Sequence, residues 1–247
     1  MSTADLDSPG DGGTGAGPAR QPAKGAATRA LILEAALASF RDRGYDQTTM
    51  RGIAQSAGVS LGNAYYYFGS KEELVQEFYA LIQDGHRIRA AEAFAGRGLA
   101  ERLRGVLHAG IDEMAPYHDF AGSFIRVAIA PTSASSPFSP ESASARDAAI
   151  GLFREVLDGS DARPGGPVAR DLPELLWLAY LGITIFWVYD TSPGQERTRR
   201  LIDTSARLIA RTVALTRLPV LRGVGDDLHA LLADLRPGTG PRSGPTG

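Results

Sequence analysis

The chain has 247 residues, enough for one large domain or two of ordinary size. Its 26 lysines and arginines against 28 acidic residues give a net charge of −2, which excludes a protein coated in positive charge. Any contact with nucleic acid must therefore come from a local patch. The absence of cysteine excludes disulfide scaffolds, cysteine-ligated metal sites and thiol catalysis.

The two ends of the chain differ in composition from the middle. Residues 1–27 are rich in Gly, Ser, Pro and Ala and predict a disordered tail, because Leu6 is their one large apolar side chain after Met1. Residues 237–247 predict a similar flexible tail. The start lacks the features of a secretory signal, and the longest apolar run, residues 175–189, is shorter than the ~20 residues that span a membrane. We therefore expect a cytoplasmic protein with no membrane partner.

Between these tails the apolar residues recur with helical spacing, and no segment alternates as a strand would, so the prediction is an all-α fold. Thr28 is expected to cap the first helix and Gly44 to end it. Short helices are predicted at residues 50–57 and 60–66, and the capping box Ser70-Lys71-Glu72-Glu73 opens a fourth helix. Later helices are expected near residues 99–114, 120–130, 141–158, 172–190, 195–217 and 224–235.

Residues 28–72 carry the pattern of a three-helix head with a helix-turn-helix inside it, whose turn is Ala57-Gly58-Val59. Residues 47–71 contain Arg51 and Lys71 and no acidic residue, so this surface does not repel phosphate. Tyr65, Tyr66 and Tyr67 are consecutive, and at least one phenol must face outward because neighbours on a helix lie ~100° apart. The pattern favours binding of double-stranded DNA over an ordinary surface helix of a bundle.

These residues resemble the TetR family of bacterial transcriptional regulators, over about 47 residues. The resemblance is carried by Thr28, Arg29, Ile32, Ala35, Ala36, Phe40, Gly44, Tyr45, Thr48, Thr49, Ile53, Ala54, Ala57, Gly58, Val59, Ser60, Gly62, Tyr65, Tyr67, Phe68, Ser70, Lys71 and Leu74. It implies a head over residues 28–72 that binds DNA, followed by a larger helical domain over residues 73–236 that binds a ligand and dimerises.

The resemblance also implies which residues touch DNA. They are Thr49, Arg51, Ser60, Leu61, Gly62, Asn63, Tyr65, Tyr66, Tyr67 and Lys71. Asn63, the only asparagine of the chain, can pair with adenine through two hydrogen bonds. Two positions depart from the family pattern, because Asn63 stands where Thr is frequent and Ala64 where a larger apolar residue is usual. The base preference of relatives is therefore not transferable.

Residues 175–189 form a helix that is apolar all round and must be covered on every side. A second subunit is the simplest additional cover, and a core helix of a monomer is the alternative. The predicted homodimer interface comprises Ala179, Gly182, Phe186, Leu201, Ser205, Leu208, Ile209 and Thr212. Two heads about 34 Å apart would then read a pseudo-palindromic operator.

The same domain contains candidates for the wall of a ligand cavity, although core packing is the alternative explanation for each of them. They are Met114, Tyr117, His118, Phe120, Phe124, Phe153, Trp177, Tyr180 and Trp187. Such a wall suits a small apolar or aromatic effector, and the resemblance implies that its binding releases DNA. No cofactor, metal site or catalytic motif is predicted. The alternatives are a ligand-independent DNA-binding protein, or a small-molecule-binding protein or enzyme with a non-functional head.

Overall fold

The computed structural model describes residues 21–128, 133–162, 164, 168–216 and 230. Within these residues the regular structure is helical and there is no strand, which confirms the all-α prediction. Nine α-helices are described: α1 Gln21–Arg43, α2 Met50–Ser56, α3 Leu61–Tyr67, α4 Lys71–Ala90, α5 Leu99–Met114, α6 His118–Ala128, α7 Ala143–Asp158, α8 Val168–Val188 and α9 Glu196–Leu215. Short 3₁₀ segments follow α4, α5 and the loop after α8, at Ala91–Ala95, Ala115–Tyr117 and Pro193–Gln195.

The first helix begins earlier than the sequence predicts. Helix α1 starts at Gln21, so the prediction that Thr28 caps it is wrong; the Thr28 hydroxyl instead donates to the carbonyl of Lys24 inside the helix, at 3.0 Å. Alanines around Gly25 favour helix, and a proline is tolerated in a first turn, which explains why residues 21–27 do not belong to the tail. The rest of the predicted N-terminal tail, the helix predicted at 224–235 except residue 230, and the tail at 237–247 lie outside the described residues.

Glycines end α1 and shape the turn of the helix-turn-helix as predicted. Gly44 has φ +82°, and its N–H donates to the carbonyl of Phe40 at 3.0 Å. Gly58 has φ +66°, in the left-handed region that side chains other than glycine rarely adopt. The chain can therefore reverse tightly between α2 and α3, and the core of the head closes with buried residues from all three helices: Ile32, Ala36, Phe40, Ile53, Ala54, Ala64 and Phe68.

Helix α4 joins the head to the larger domain. Its cap is Ser70, whose Oγ accepts from the N–H of Glu73 at 3.3 Å, while a Glu73 carboxylate oxygen accepts from the N–H of Gly69 at 2.8 Å. In an ordinary capping box the Glu side chain accepts from the N–H of the cap residue itself. Here Glu73 accepts instead from the N–H of Gly69, the residue before the cap. Beyond the cap, α4 packs on α5 and α7, and these helices with α8 and α9 enclose the second core.

Candidate functional sites

The two short helices of the turn begin at hydroxyl residues. The Oγ1 of Thr49 accepts from the N–H of Gly52 at 3.1 Å, and the Oγ of Ser60 accepts from the N–H of Asn63 at 3.1 Å. These caps explain why α2 and α3 start where they do. Both hydroxyls are exposed and donate to no described residue, so each keeps its proton for an acceptor such as a phosphate oxygen.

The outward face of α3 carries aromatic side chains. Tyr66 is 80% exposed and Tyr65 49%, which confirms that at least one phenol faces solvent. The ring of Tyr67 is half-buried and packs edge-on against Tyr66 with centroids 5.1 Å apart. A Cβ at Gly62 would meet nothing within 4 Å, so another molecule has room to approach there. Of the ten predicted DNA contacts, six are exposed and four are half-buried, the latter being Leu61, Asn63, Tyr67 and Lys71.

Lys71 has a structural role that the sequence did not reveal. Its Nζ donates to the carbonyl of Tyr45 at 2.8 Å and lies 4.3 Å from the centroid of the Tyr45 ring. The Tyr45 hydroxyl in turn donates to Glu72 at 2.8 Å, and burial together with this bond raises the pKa of Tyr45. Lys71 therefore joins the start of α4 to the loop after α1, whether or not it also contacts phosphate.

Arg29 positions the far end of α3. Its Nε and Nη2 donate to both carboxylate oxygens of Glu77 at 2.9 and 2.7 Å, and its Nη1 donates to the carbonyl of Tyr67 at 3.0 Å. The hydrogen bond from Arg29 holds the pKa of Glu77 below its ordinary value. Arg29 thus ties α1, α3 and α4 together. Because its partners lie 38 and 48 residues away, no local spacing could have indicated this role.

A cavity of about 170 Å³ lies in the larger domain, between α4, the end of α5, α6, α7 and α8. Seven of the nine predicted ligand candidates are in its wall: Met114, Tyr117, Phe120, Phe124, Trp177, Tyr180 and Trp187. The sequence reasoning missed the contributions of α4 and α7. These include Phe78, Tyr79, Ile82, Gln83, Ala145, Arg146 and Ala149. The helical spacing of Phe78 and Ile82 could have indicated the inward face of α4.

His118 and Phe153 are not part of this wall, contrary to the prediction. A ring nitrogen of His118 lies 2.9 Å from the carbonyl of Trp187, and the imidazole packs edge-on against that indole. Phe153 is fully buried one turn beyond Ala149, with its ring centroid 5.9 Å from that of Tyr180. Both side chains therefore support wall residues from behind. Among the described residues, no group of three or more histidines and carboxylates could hold a metal ion.

Phe124 connects the cavity to the head. Its ring is in the cavity wall and packs edge-on against Phe40 of α1, with centroids 5.7 Å apart. The same ring lies 5.3 Å from that of Phe78 and 5.5 Å from that of Phe120, both of which also line the cavity. A molecule in the cavity would therefore be separated from the core of the head by one aromatic ring.

Comparison with known proteins gives the family. A profile described as "Tetracyclin repressor-like, C-terminal domain" matches residues 102–231, more than half of the chain. A second, described as "Bacterial regulatory proteins, tetR family", matches residues 32–78. The chain belongs to the TetR family. Its resemblance in the head thus extends to the domain that contains the cavity.

Curated relatives of this TetR-family chain are named as transcriptional regulators. It is 35% identical over 91 residues to the HTH-type transcriptional repressor KstR2 of Mycobacterium tuberculosis, which is 36% of this chain and 46% of that one. It is 43% identical over 68 residues to the HTH-type transcriptional regulator TtgR of Pseudomonas putida, covering 27% and 32% of the two chains. The chain therefore matches less than half the length of these curated relatives.

Solved structures extend the likeness in fold. The TetR regulator from Nitrosomonas europaea superposes with a TM-score of 0.57 at 17% identity, over 74% of this chain and 97% of that one. Thermus thermophilus FadR, a TetR-family repressor solved in complex with lauroyl-CoA, gives a TM-score of 0.50 at 25% identity, over 70% and 92%. The helical order of the head and of the larger domain is thus shared with TetR-family structures.

One face of α8 is left uncovered in this TetR-family chain. By length and composition alone the helix could cross a membrane. In its most apolar stretch of 18 residues, 44% is buried inside the protein. Its large exposed apolar side chains, Ile185 and Phe186, lie on one stripe with the exposed Gly182 and with Tyr189 directly after the helix, and α9 adds the exposed Leu208. The predicted interface residues Gly182, Phe186, Leu208 and Thr212 are exposed, whereas Ala179, Leu201, Ser205 and Ile209 are half-buried. A single stripe suits a protein partner better than lipid, which would surround the helix.

Proposed function

We propose that this chain is a ligand-responsive transcriptional repressor of the cytoplasm, which binds a pseudo-palindromic operator in double-stranded DNA as a homodimer. A small apolar or aromatic effector in the cavity releases it. The observation that carries the proposal is the Phe124 ring, which lies in the cavity wall and also packs on the core of the head. The cavity and the core of the head that presents the DNA-binding surface are thus joined by direct aromatic packing within one chain.

The α3 surface supports the DNA-binding part of the proposal. Residues 47–71 contain no carboxylate, the exposed Arg51 supplies positive charge, and the hydroxyls of Thr49 and Ser60 are free to donate. Phosphate contacts of this kind set the position on DNA, and base contacts from a recognition helix set the sequence. Asn63 is the side chain of α3 best suited to read a base edge, since its amide makes no hydrogen bond to a described residue.

The uncovered stripe on α8 and α9 supports the homodimer. Phe186 is 43% exposed and Leu208 63%, and a second copy of the same stripe would bury both. Phe186→Arg should convert the dimer to a monomer, measured by size-exclusion chromatography with light scattering. Ile88→Arg is the control, because Ile88 is also a large apolar residue and is even more exposed, at 75%, but lies on α4 and not on the stripe. A wild-type monomer at micromolar concentration would contradict the proposal.

The aromatic contact supports release by an effector. A ligand between Phe120 and Phe78 would press on Phe124, and Phe124 packs on Phe40 of the head. Effector binding then favours a conformation in which the two heads are wrongly spaced for the operator, provided that the ligand binds that conformation more tightly. The complex of Thermus thermophilus FadR with lauroyl-CoA is a TetR-family precedent for a bound small molecule.

The deciding experiment is fluorescence anisotropy with DNA flanking the protein's own gene and a scrambled duplex, across a series of salt concentrations. We expect specific binding that weakens steeply with salt. Tyr65→Ala should weaken operator binding more than twofold, whereas Leu81→Ala, a similarly exposed apolar site on α4, should not. Equal, weak binding to both duplexes would contradict sequence-specific recognition of that region.

A further inference from the structure

The cavity wall contains one formally charged side chain, Arg146, and no carboxylate, among the described residues. Arg146 lies in the first turn of α7, after the loop that closes one side of the cavity. Most of the remaining wall is aromatic or aliphatic, which gives the space an apolar body with a positive end. A wall of this composition favours an anion over a neutral or cationic ligand.

The guanidinium of Arg146 is only partly satisfied. Its Nη1 donates to the carbonyls of Pro137 at 2.9 Å and Ser139 at 3.0 Å, whereas Nε and Nη2 have no partner among the described residues. No described carboxylate forms an ion pair with it, although the side chain is half-buried. A cation partly removed from water gains more from a charged acceptor than from a neutral carbonyl.

A second donor lies in the same wall. Trp187 is 2% exposed, and its indole N–H, which can only donate, has no hydrogen-bond partner among the described residues. Two hydroxyls of the wall are engaged, since that of Thr184 donates to the carbonyl of Tyr180 and that of Tyr79 donates to the carbonyl of Ser135, both at 2.9 Å. The buried hydroxyl of Tyr180 also has no partner among the described residues, and it can donate or accept. The unpaired nitrogens of Arg146 and Trp187 can only donate, so a ligand that pairs with them must supply acceptor atoms.

We propose that the cavity binds an amphipathic carboxylate, whose aromatic or aliphatic body lies among the rings and whose carboxylate pairs with Arg146. This inference rests on the proposed function, because it names the chemical class of the effector of that same cavity. Nε and Nη2 of an arginine form a planar fork that matches the two oxygens of a carboxylate. The effector class is thereby narrowed from apolar or aromatic molecules to organic acids.

The test uses the chain's own fluorescence. Trp177 and Trp187 are its only two tryptophans, and both line the cavity, so the emission reports occupancy without DNA. The full-length protein is titrated at neutral pH with 4-phenylbutanoate and with decanoate, each beside its primary amide. At least one acid should bind about tenfold or more tightly than its amide, since a charge-assisted pair replaces a neutral one.

Arg146→Gln separates the charge from the apolar contacts. This variant should lose about tenfold or more in affinity for the acid, while binding of the amide stays within about twofold. Arg154→Gln is the control, because Arg154 is exposed on the same helix and lies outside the cavity wall. The proposal is overturned if acid and amide bind the wild type equally. It is also overturned if Arg146→Gln weakens both equally, or if neither acid changes the emission at millimolar concentration.

The experiments distinguish failure of the carboxylate-site proposal from failure of the repressor proposal. Ligand-free Arg146→Gln should bind the operator as the wild type does, because Arg146 lies in the cavity wall and not in the head. Loss of operator recognition in the wild type would break the proposed function and leave the carboxylate site standing. Binding of both acids without preference over their amides would break the carboxylate site and leave the repressor standing.

Discussion

The candidate sites of the head and of the larger domain are built differently: the first is local and exposed, and the second is assembled from distant helices and buried. In the head, the candidate DNA contacts fall within residues 49–71 and six of the ten are exposed. In the larger domain, the cavity is assembled from residues 78–188 on five helices, and its rings are mostly buried. A binding surface made by one local motif can change with little effect on folding. A cavity made by distant helices exists only when the whole domain is packed.

Two arginines of the larger domain differ in burial and in role: one stabilises the fold and the other is available to bind a ligand. Arg102 is buried, and its Nε, Nη1 and Nη2 donate to backbone carbonyls of Val156, Gly96 and Glu155 at 3.0, 3.1 and 2.8 Å, and also to that of Phe94. Arg146 is half-buried and leaves two nitrogens unused. Arg102 therefore holds the end of α7, whereas Arg146 is available to a ligand.

The largest expected effect is on folding, at Arg102. Arg102→Met preserves an apolar stem but leaves carbonyls at the end of α7 without their donor, so the free energy of unfolding should fall by about 3 kcal/mol. Urea unfolding followed by tryptophan fluorescence measures this change, since Trp177 and Trp187 both lie in the larger domain. Arg104→Met, an exposed arginine on the same helix, should change it by less than about 0.5 kcal/mol. Near-equal stability of the two variants would refute a supporting role for Arg102.

At the head, we expect loss of binding without loss of folding. Asn63→Ala should weaken operator affinity by about 1–3 kcal/mol, because Asn63 is predicted to contact a base, and should leave the salt dependence unchanged.

Arg51→Gln should weaken binding to all sequences and reduce the salt slope by about one per head, because Arg51 is exposed and is predicted to pair with phosphate. Anisotropy titrations on operator and scrambled DNA distinguish the sequence-specific loss expected for Asn63→Ala from the general loss expected for Arg51→Gln. A common loss of thermal stability would contradict the contrast between head and larger domain.

The same contrast explains what the sequence could predict. The turn at Gly58 and the start of α3 were predicted to within a residue because caps, glycine and apolar spacing are local signals. Family membership is predicted from the same stretch, and the helical fold from the apolar spacing along the chain between its two tails; the comparisons confirm the first and the described residues confirm the second. The start of α1 was predicted too late, because a Gly/Ala-rich composition was interpreted as tail.

The cavity was only partly predictable from the sequence. Large aromatic residues indicated most of its wall, but His118 and Phe153 show that composition does not tell which face of a helix turns inward. Arg146 was missed because its partners are backbone carbonyls of a loop, which no residue pattern reveals. Arg29 was expected in the head, yet its bonds to Glu77 and Tyr67 depend on helices that meet only in the folded protein.

The smallest expected effect concerns the joint between α8 and α9, which carries the uncovered stripe. The carboxylate of Asp190 is buried and accepts from the N–H and hydroxyl of Ser192 at 3.0 and 2.6 Å, and from those of Thr198 at 2.8 and 2.7 Å. Burial alone would raise the pKa of Asp190, but these four bonds outweigh it and hold the pKa well below its ordinary value. The ionised form is therefore favoured in the folded protein.

A lowered pKa in the folded state stabilises the protein above the unfolded pKa of about 3.9, and this stability is lost as the pH falls through the folded value. Asp190→Asn should lower the free energy of unfolding by about 1 kcal/mol at neutral pH, and its deficit relative to wild type should shrink below about pH 4. Asp84→Asn, an exposed carboxylate on α4, should show no such convergence in urea unfolding across pH. A deficit that stays constant into acid would mean that Asp190 acts through the shape of the loop, not through its charge.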